Sequence, residues 1–194
     1  MSRSARVERA TRESKVVVSI DLDGSGRASV ETGVGFFDHL LTSFAHHGLF
    51  DLEVRARGDL EVDDHHTVED TALALGAAIS QALGDRAGIA RFGDAVVPMD
   101  EAIAHAAVDL SGRPYTVLAI ELRTDRIGNL STQNVSHILE ALSRAGGLTL
   151  HLDSRGANDH HVAEAAIKAL ARALYKAVGI EQRRVGVPST KGSL

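Results

Sequence analysis

The chain has 194 residues, 44% of them hydrophobic, enough to enclose one or two small cores. Its formal net charge of −5 gives no basic footprint for nucleic acid, although Arg3, Arg6, Arg9 and Arg12 make the start locally positive, and the lack of cysteine excludes disulfides and thiolate metal sites. No apolar run is long enough to span a bilayer and the N-terminus lacks the apolar stretch of a secretory signal, so a cytoplasmic protein without nucleic-acid or membrane partners is expected.

Alternation in KVVVSIDL (15–22) predicts a strand, and DGSGR then turns the chain into a second strand, ASVET. Apolar spacing of three and four in FFDHLLTSFAHHG (36–48) predicts a short helix closed by glycine. LFDLEVRA alternates like a strand. HHTVEDTALALGAAISQAL (65–83) is a long amphipathic helix with Asp64 placed to cap it. The second half runs through the same order: AIAHAAVDL, SGRP, YTVLAIEL, NVSHILEALSRAGG, LTLHLD and HHVAEAAIKALARALYKAV, with Asn158 or Asp159 as the cap. Glu13 matches Glu101 and Asp21 matches Asp109 at an offset of 88, His39 matches His137 at 98, and His65 matches His160 at 95. Loops such as RTDRIGNLST (123–132) absorb the slipping offset. The expectation is a tandem duplication of a β-β-α-β-α unit, residues 1–90 and 91–194, forming one compact α+β unit of pseudo-twofold symmetry with helices packed on antiparallel or mixed sheets.

Each half carries a ligand-rich octet, DDHHTVED at 63–70 and NDHHVAEA at 158–165. On a helix, residues four apart lie about 40° apart around the axis and neighbours about 100°. His65 with Glu69, and His160 with Glu164, can therefore share an ion while His66 and His161 point elsewhere. Adjacent histidines have no packing advantage over Leu or Ala, so a duplicated His-His-x-x-Glu with a further duplicated histidine upstream is read as metal-binding. His46, His105 and His151 are read as ordinary surface residues. Spacing leaves His39, His66, His137 and His161 to be shared between two sites. Three imidazoles and one carboxylate, without sulfur, suit an octahedral ion such as Mn²⁺ or Fe²⁺ with two positions open. Lys168, four residues after Glu164, lies on the metal side of its helix where the first half has Leu73, so the symmetry is broken there.

FFDHLLTSFAHHGLFDL, DDHHTVEDTALALG, SGRPY, NDHHVAEAAIKALARAL and VPSTKG together resemble the imidazoleglycerol-phosphate dehydratases of histidine biosynthesis, collinearly from about Arg9 to Gly192 and at the length of the monofunctional form. The resemblance implies dehydration of imidazoleglycerol phosphate to imidazole-acetol phosphate, two Mn²⁺ per active site, and a fold like domain 2 of ribosomal protein S5. It also implies a homo-oligomeric cage of twenty-four subunits with metal sites between chains. It places His39, His66, His160 and Glu164 on one ion, and His65, Glu69, His137 and His161 on the other. It adds Arg91, Arg113, Ser189, Thr190 and Lys191 to Lys168 as contacts for a phosphate, which needs positive donors. It makes Glu13 the candidate base and His47 a candidate substrate contact, although helical angles alone put His46 nearer the His39 face. A dimetal hydrolase would bridge its ions with a carboxylate instead of keeping two ligand sets apart. A metal-assembled shell without catalysis would have no use for Lys168, Arg91, Arg113 or Glu13.

Overall fold

In the computed structural model, which describes residues 3–192 and 194, the alternation of the two halves becomes two four-stranded sheets. The first contains β1 (Ser4–Ala10), β2 (Ser14–Asp21), β3 (Ala28–Glu31) and β4 (Asp51–Gly58), in the order β1-β2-β4-β3. The second contains β5 (Phe92–Met99), β6 (Ala102–Asp109), β7 (Tyr115–Ile120) and β10 (Thr149–Arg155), in the order β5-β6-β10-β7. Strand for strand the two orders coincide, down to the single parallel pair in each, β3 with β4 and β7 with β10. A short hairpin, β8 (Arg126–Ile127) with β9 (Leu130–Ser131), interrupts the second half.

Each four-stranded sheet therefore has one strand more than the expected unit, at its N-terminal edge. β1 gives a weak signal because its inward side chains, Ala5 and Val7, are only half-buried and the rest are exposed. β5 gives a weak one because its buried positions are Gly93 and Ala95, too small to stand out as an apolar face. Gly93 is needed there: a Cβ would stand 2.0 Å from the Ala173 carbonyl oxygen of the helix packed on it.

The helices are α1 (Gly35–Gly48), α2 (His65–Leu83), α3 (Gln133–Gly146) and α4 (Asp159–Val178). They lie on the inner faces of the sheets, α2 against β1 and β2, and α4 against β5 and β6. Between themselves they pair across the halves, α1 with α4 and α3 with α2. Phe37, Leu40, Leu75, Leu139 and Leu170 are buried at this junction. Each such side chain removed from water contributes roughly 1.5–3 kcal/mol. At Gly76 the approach of α2 to α3 is so close that a Cβ would sit 2.4 Å from the Leu142 carbonyl oxygen. The glycine stop holds for α3, where Gly147 is left-handed, whereas in α1 the left-handed residue is Leu49 and Gly48 instead makes room for the Phe50 ring. Among the described residues no helix is long and apolar enough to cross a membrane.

Candidate metal centres

Both octets open a long helix, and the caps explain how. Asp63 Oδ1 accepts the His65 amide at 2.8 Å, and Asn158 Oδ1 accepts the His160 amide at 2.9 Å. Asn158 was an expected cap, but Asp64 is not one: its backbone is already helical, with φ −85° and ψ −9°, and its side chain makes no cap bond. It instead accepts from Ser131 N and Oγ, both at 2.7 Å, and from Asn134 Nδ2 at 2.9 Å. Asp159 likewise accepts from Arg123 N at 2.9 Å and Thr124 N at 2.7 Å. Burial alone would raise both carboxyls, but these donors outweigh it and hold them below the ordinary value. The loop ahead of α3 is thus fastened to the starts of α2 and α4.

The crossed helix pairing builds two centres. In the first, His39 of α1 brings Nε2 within 2.9 Å of Glu164 Oε2, and His160 Nε2 is 3.1 Å from the same oxygen. In the second, His137 Nε2 of α3 is 3.2 Å from Glu69 Oε1, and His65 Nε2 is 4.0 Å from Glu69 Oε2. The His65 and His137 rings stack with centroids 4.6 Å apart. In each trio the ligand-capable atoms lie within 4.8 Å of one another. Lys168 Nζ stands 2.7 Å from Glu164 Oε1 in the first centre, and Arg144 Nη2 stands 3.2 Å from Glu69 Oε1 in the second. Burial opposes ionisation of Glu164, but hydrogen bonds from His39 and Lys168 prevail and lower its carboxyl to about 2.

These residues suit a metal. His137 Nε2 is buried without a hydrogen bond, since Glu69 lies close but lacks the required alignment. Two imidazole nitrogens and a carboxylate form a borderline-to-hard donor set.

The fourth expected ligand of each set stands apart in the same chain. His66 Nδ1 is 3.0 Å from Asp59 Oδ2, and its Nε2 is 3.8 Å from Glu13 Oε1. His161 Nδ1 is 2.8 Å from Glu101 Oε2, with Nε2 3.8 Å from Asp100 Oδ2. Hydrogen bonds to Asp59 and Glu101 raise these imidazoles above 6.5, and the bond from His161 lowers Glu101 to about 2.

The remaining candidates fall into two groups. His47 lies beside Lys168: burial first, then the Lys168 charge, holds its imidazole below 6.5. Its carbonyl oxygen accepts from Arg172 Nη1 at 3.2 Å, whereas His46, like His105 and His151, is exposed. Arg91 grips Asp109 at 2.6 and 3.0 Å and the Pro188 carbonyl oxygen at 2.7 Å, and Arg113 Nη2 is 3.9 Å from Asp109. The segment with Ser189, Thr190 and Lys191 is thereby held near Arg91. Arg91 N donates to the Ala177 carbonyl oxygen, so this group is at the far end of α4 from His160. Seventeen residues of helix put the two ends about 25 Å apart. Within one chain, therefore, the arginines and the tail do not meet the first centre.

Sequence reading overlooked Arg144 and Arg172, although their spacing was informative: Arg144 is seven residues after His137 and Arg172 four after Lys168. Asn134, whose Oδ1 is 3.1 Å from His65 Nδ1, carried the same signal, three residues before His137 on one helix, whereas Asp59, in a loop, carried none.

The family model for imidazoleglycerol-phosphate dehydratase matches residues 32–174. The curated dehydratase of Methanothermobacter thermautotrophicus is 55% identical over 194 residues, spanning 100% of this chain and 98% of the relative. That of Frankia casuarinae is 55% identical over 195 residues, spanning 100% of each. The crystal structure of the Staphylococcus aureus enzyme superposes with a TM-score of 0.83 at 34% identity, covering 92% of this chain and 99% of that one. The Pyrococcus furiosus enzyme, solved in complex with (S)-C348, gives 0.83 at 32% identity, covering 97% and 100%.

Proposed function

The chain belongs to the imidazoleglycerol-phosphate dehydratase family, hydro-lyases of histidine biosynthesis, and from that premise we propose that it is a Mn²⁺ enzyme with two ions per active site, completed between the chains of a cytoplasmic homo-oligomer. On this reading it converts imidazoleglycerol phosphate to imidazole-acetol phosphate. The observation that supports it is the pair of His-His-Glu trios, each one imidazole short, beside two histidines displayed elsewhere on the same chain. His39, His160 and Glu164 would be completed by His66 of a neighbour, and His65, Glu69 and His137 by His161 of a neighbour. A cage of twenty-four subunits is one closed assembly that satisfies every such donor.

When bound, the ions supply Lewis acidity toward the imidazole nitrogens of the substrate. The chain's own groups do the rest. Glu13 is the base for the carbon-bound proton: its carboxylate is half-exposed, has no hydrogen bond among the described residues, and accompanies His66 into the shared site. Lys168 and His47 flank the first centre, with Lys168 donating to the phosphate. Arg91, Arg113, Ser189, Thr190 and Lys191, too distant from the first centre of their own chain, would address the phosphate held at a neighbour's.

The test is elemental analysis of the fully loaded protein together with turnover of imidazoleglycerol phosphate by the manganese form. Two ions per chain are expected, with His137→Ala lowering the content toward one. One ion per chain, unchanged in that variant, would defeat the two-centre assignment, and full loading without turnover would leave a metal-assembled shell.

A further inference from the structure

The duplicated glutamates have parted ways. Glu101 precedes β6, and its two oxygens are both engaged: Oε2 is 2.8 Å from His161 Nδ1, and Oε1 accepts the Asn158 amide at 2.8 Å. The carboxylate is thus fixed to the turn that opens α4, with His161 aligned on it. An unaltered repeat would set Glu13 on His66 Nδ1 in the same way. It does not. His66 Nδ1 faces Asp59, at 3.0 and 3.2 Å from its two oxygens, while Glu13 stands 3.8 Å from the other ring nitrogen. Asp59 lies in the connection from Gly58 to His65, which is three residues longer than that from Gly156 to His160. Its own amide donates to the Glu13 carbonyl oxygen at 3.1 Å, so the loop is tied to the residue that leads into β2.

We propose that Glu101 and Asp59 are positioning residues for His161 and His66, and that Asp59 has taken over in the first half the task Glu101 performs in the second. A carboxylate accepting Nδ1–H selects the tautomer with a lone pair on Nε2, holds the ring plane and strengthens the imidazole as a donor. Nε2 is then the atom each histidine offers to a metal. The longer loop releases Glu13 from structural duty, whereas Glu101 remains committed to it. Two glutamates at matching repeat positions so acquire different roles, one beside the reacting substrate and one behind a ligand.

The inference rests on His66 and His161 being metal ligands, and the experiment separates the two. Mn²⁺ affinity of the full-length protein is measured by competition with a chelating dye for the wild type and for Glu101→Ala, Glu101→Gln, Asp59→Ala, Asp59→Asn and Glu13→Ala. Circular dichroism checks that each is folded. Each alanine variant of Glu101 or Asp59 is expected to lose about 10–100-fold in affinity at one of two sites and to keep the other. The amide variants, which still accept Nδ1–H, should recover part of that loss, and Glu13→Ala should bind Mn²⁺ like the wild type. Wild-type affinity at both sites in Glu101→Ala and Asp59→Ala overturns the positioning role. Loss of affinity in Glu13→Ala equal to that in Asp59→Ala overturns the division of labour. A wild type that binds no Mn²⁺ defeats the metal reading itself.

Discussion

Lys168 shows what a single side chain contributes and how well spacing revealed it. Four residues from Glu164 on one helix, its ammonium reaches the carboxylate at 2.7 Å, as the local geometry requires. On the proposed reading its charge is directed at the phosphate, so Lys168→Ala is expected to raise KM about 10–100-fold, the loss of one charge-assisted hydrogen bond of ~1.5–3 kcal/mol. Metal content should be unaffected, and elemental analysis beside steady-state kinetics checks both; loss of metal would make Lys168 a support of the centre instead. Asp59 was not legible, because a loop residue seven positions before His66 has no fixed angular relation to it.

Among the elements, α2 is secured to the first sheet by Asp70, which is buried and accepts from Ser14 Oγ, from Arg9 Nε at 2.6 Å and from Thr11 Oγ1 at 3.3 Å. Burial raises its carboxyl, the hydrogen bonds from Ser14 and Arg9 more than reverse this, and the folded-state value lies below the ordinary 3.8. A depressed carboxyl stabilises the fold fully above its unfolded value and less as pH falls through the folded one. Asp70→Asn is therefore expected to cost on the order of 1–2 kcal/mol at pH 7, discounted for the partly exposed Arg9, with the gap closing below about pH 4. Urea unfolding at the two pH values measures this, and a gap that widens in acid refutes it. The contact of α2 with α3 should be as sensitive: Gly76→Ala forces a methyl against the Leu142 carbonyl and should destabilise by about 1–3 kcal/mol or more in the same assay. The long helices were legible from their apolar period, but β1 and β5 were not, since half-buried and very small side chains leave no alternation to read.

At the scale of the whole molecule, the proposed centres make metal a component of the assembly. Imidazoles must be neutral to bind, and Asp59 and Glu101 keep His66 and His161 protonated to a higher pH than an ordinary imidazole near 6.5. On the proposed reading, at pH 5, or with a chelator at neutral pH, metal should be released and the large particle should separate into smaller oligomers. Mn²⁺ added at neutral pH should restore it. Light scattering decides the matter: an unchanged mass after confirmed metal loss would show that other contacts hold the particle. The order of the four helices, the duplication, and the pairs His65 with Glu69 and His160 with Glu164 were determined by the sequence itself, because a helix places residues four apart together wherever it lies. Which imidazole joins each pair was not, since spacing left four to distribute. The crossing of helices between halves brings His39 to α4 and His137 to α2 and leaves His66 and His161 outside. Apolar stripes such as those of Phe37 and Leu139 specify burial without naming a partner, and only the packing of all four helices between two sheets settles which stripes meet.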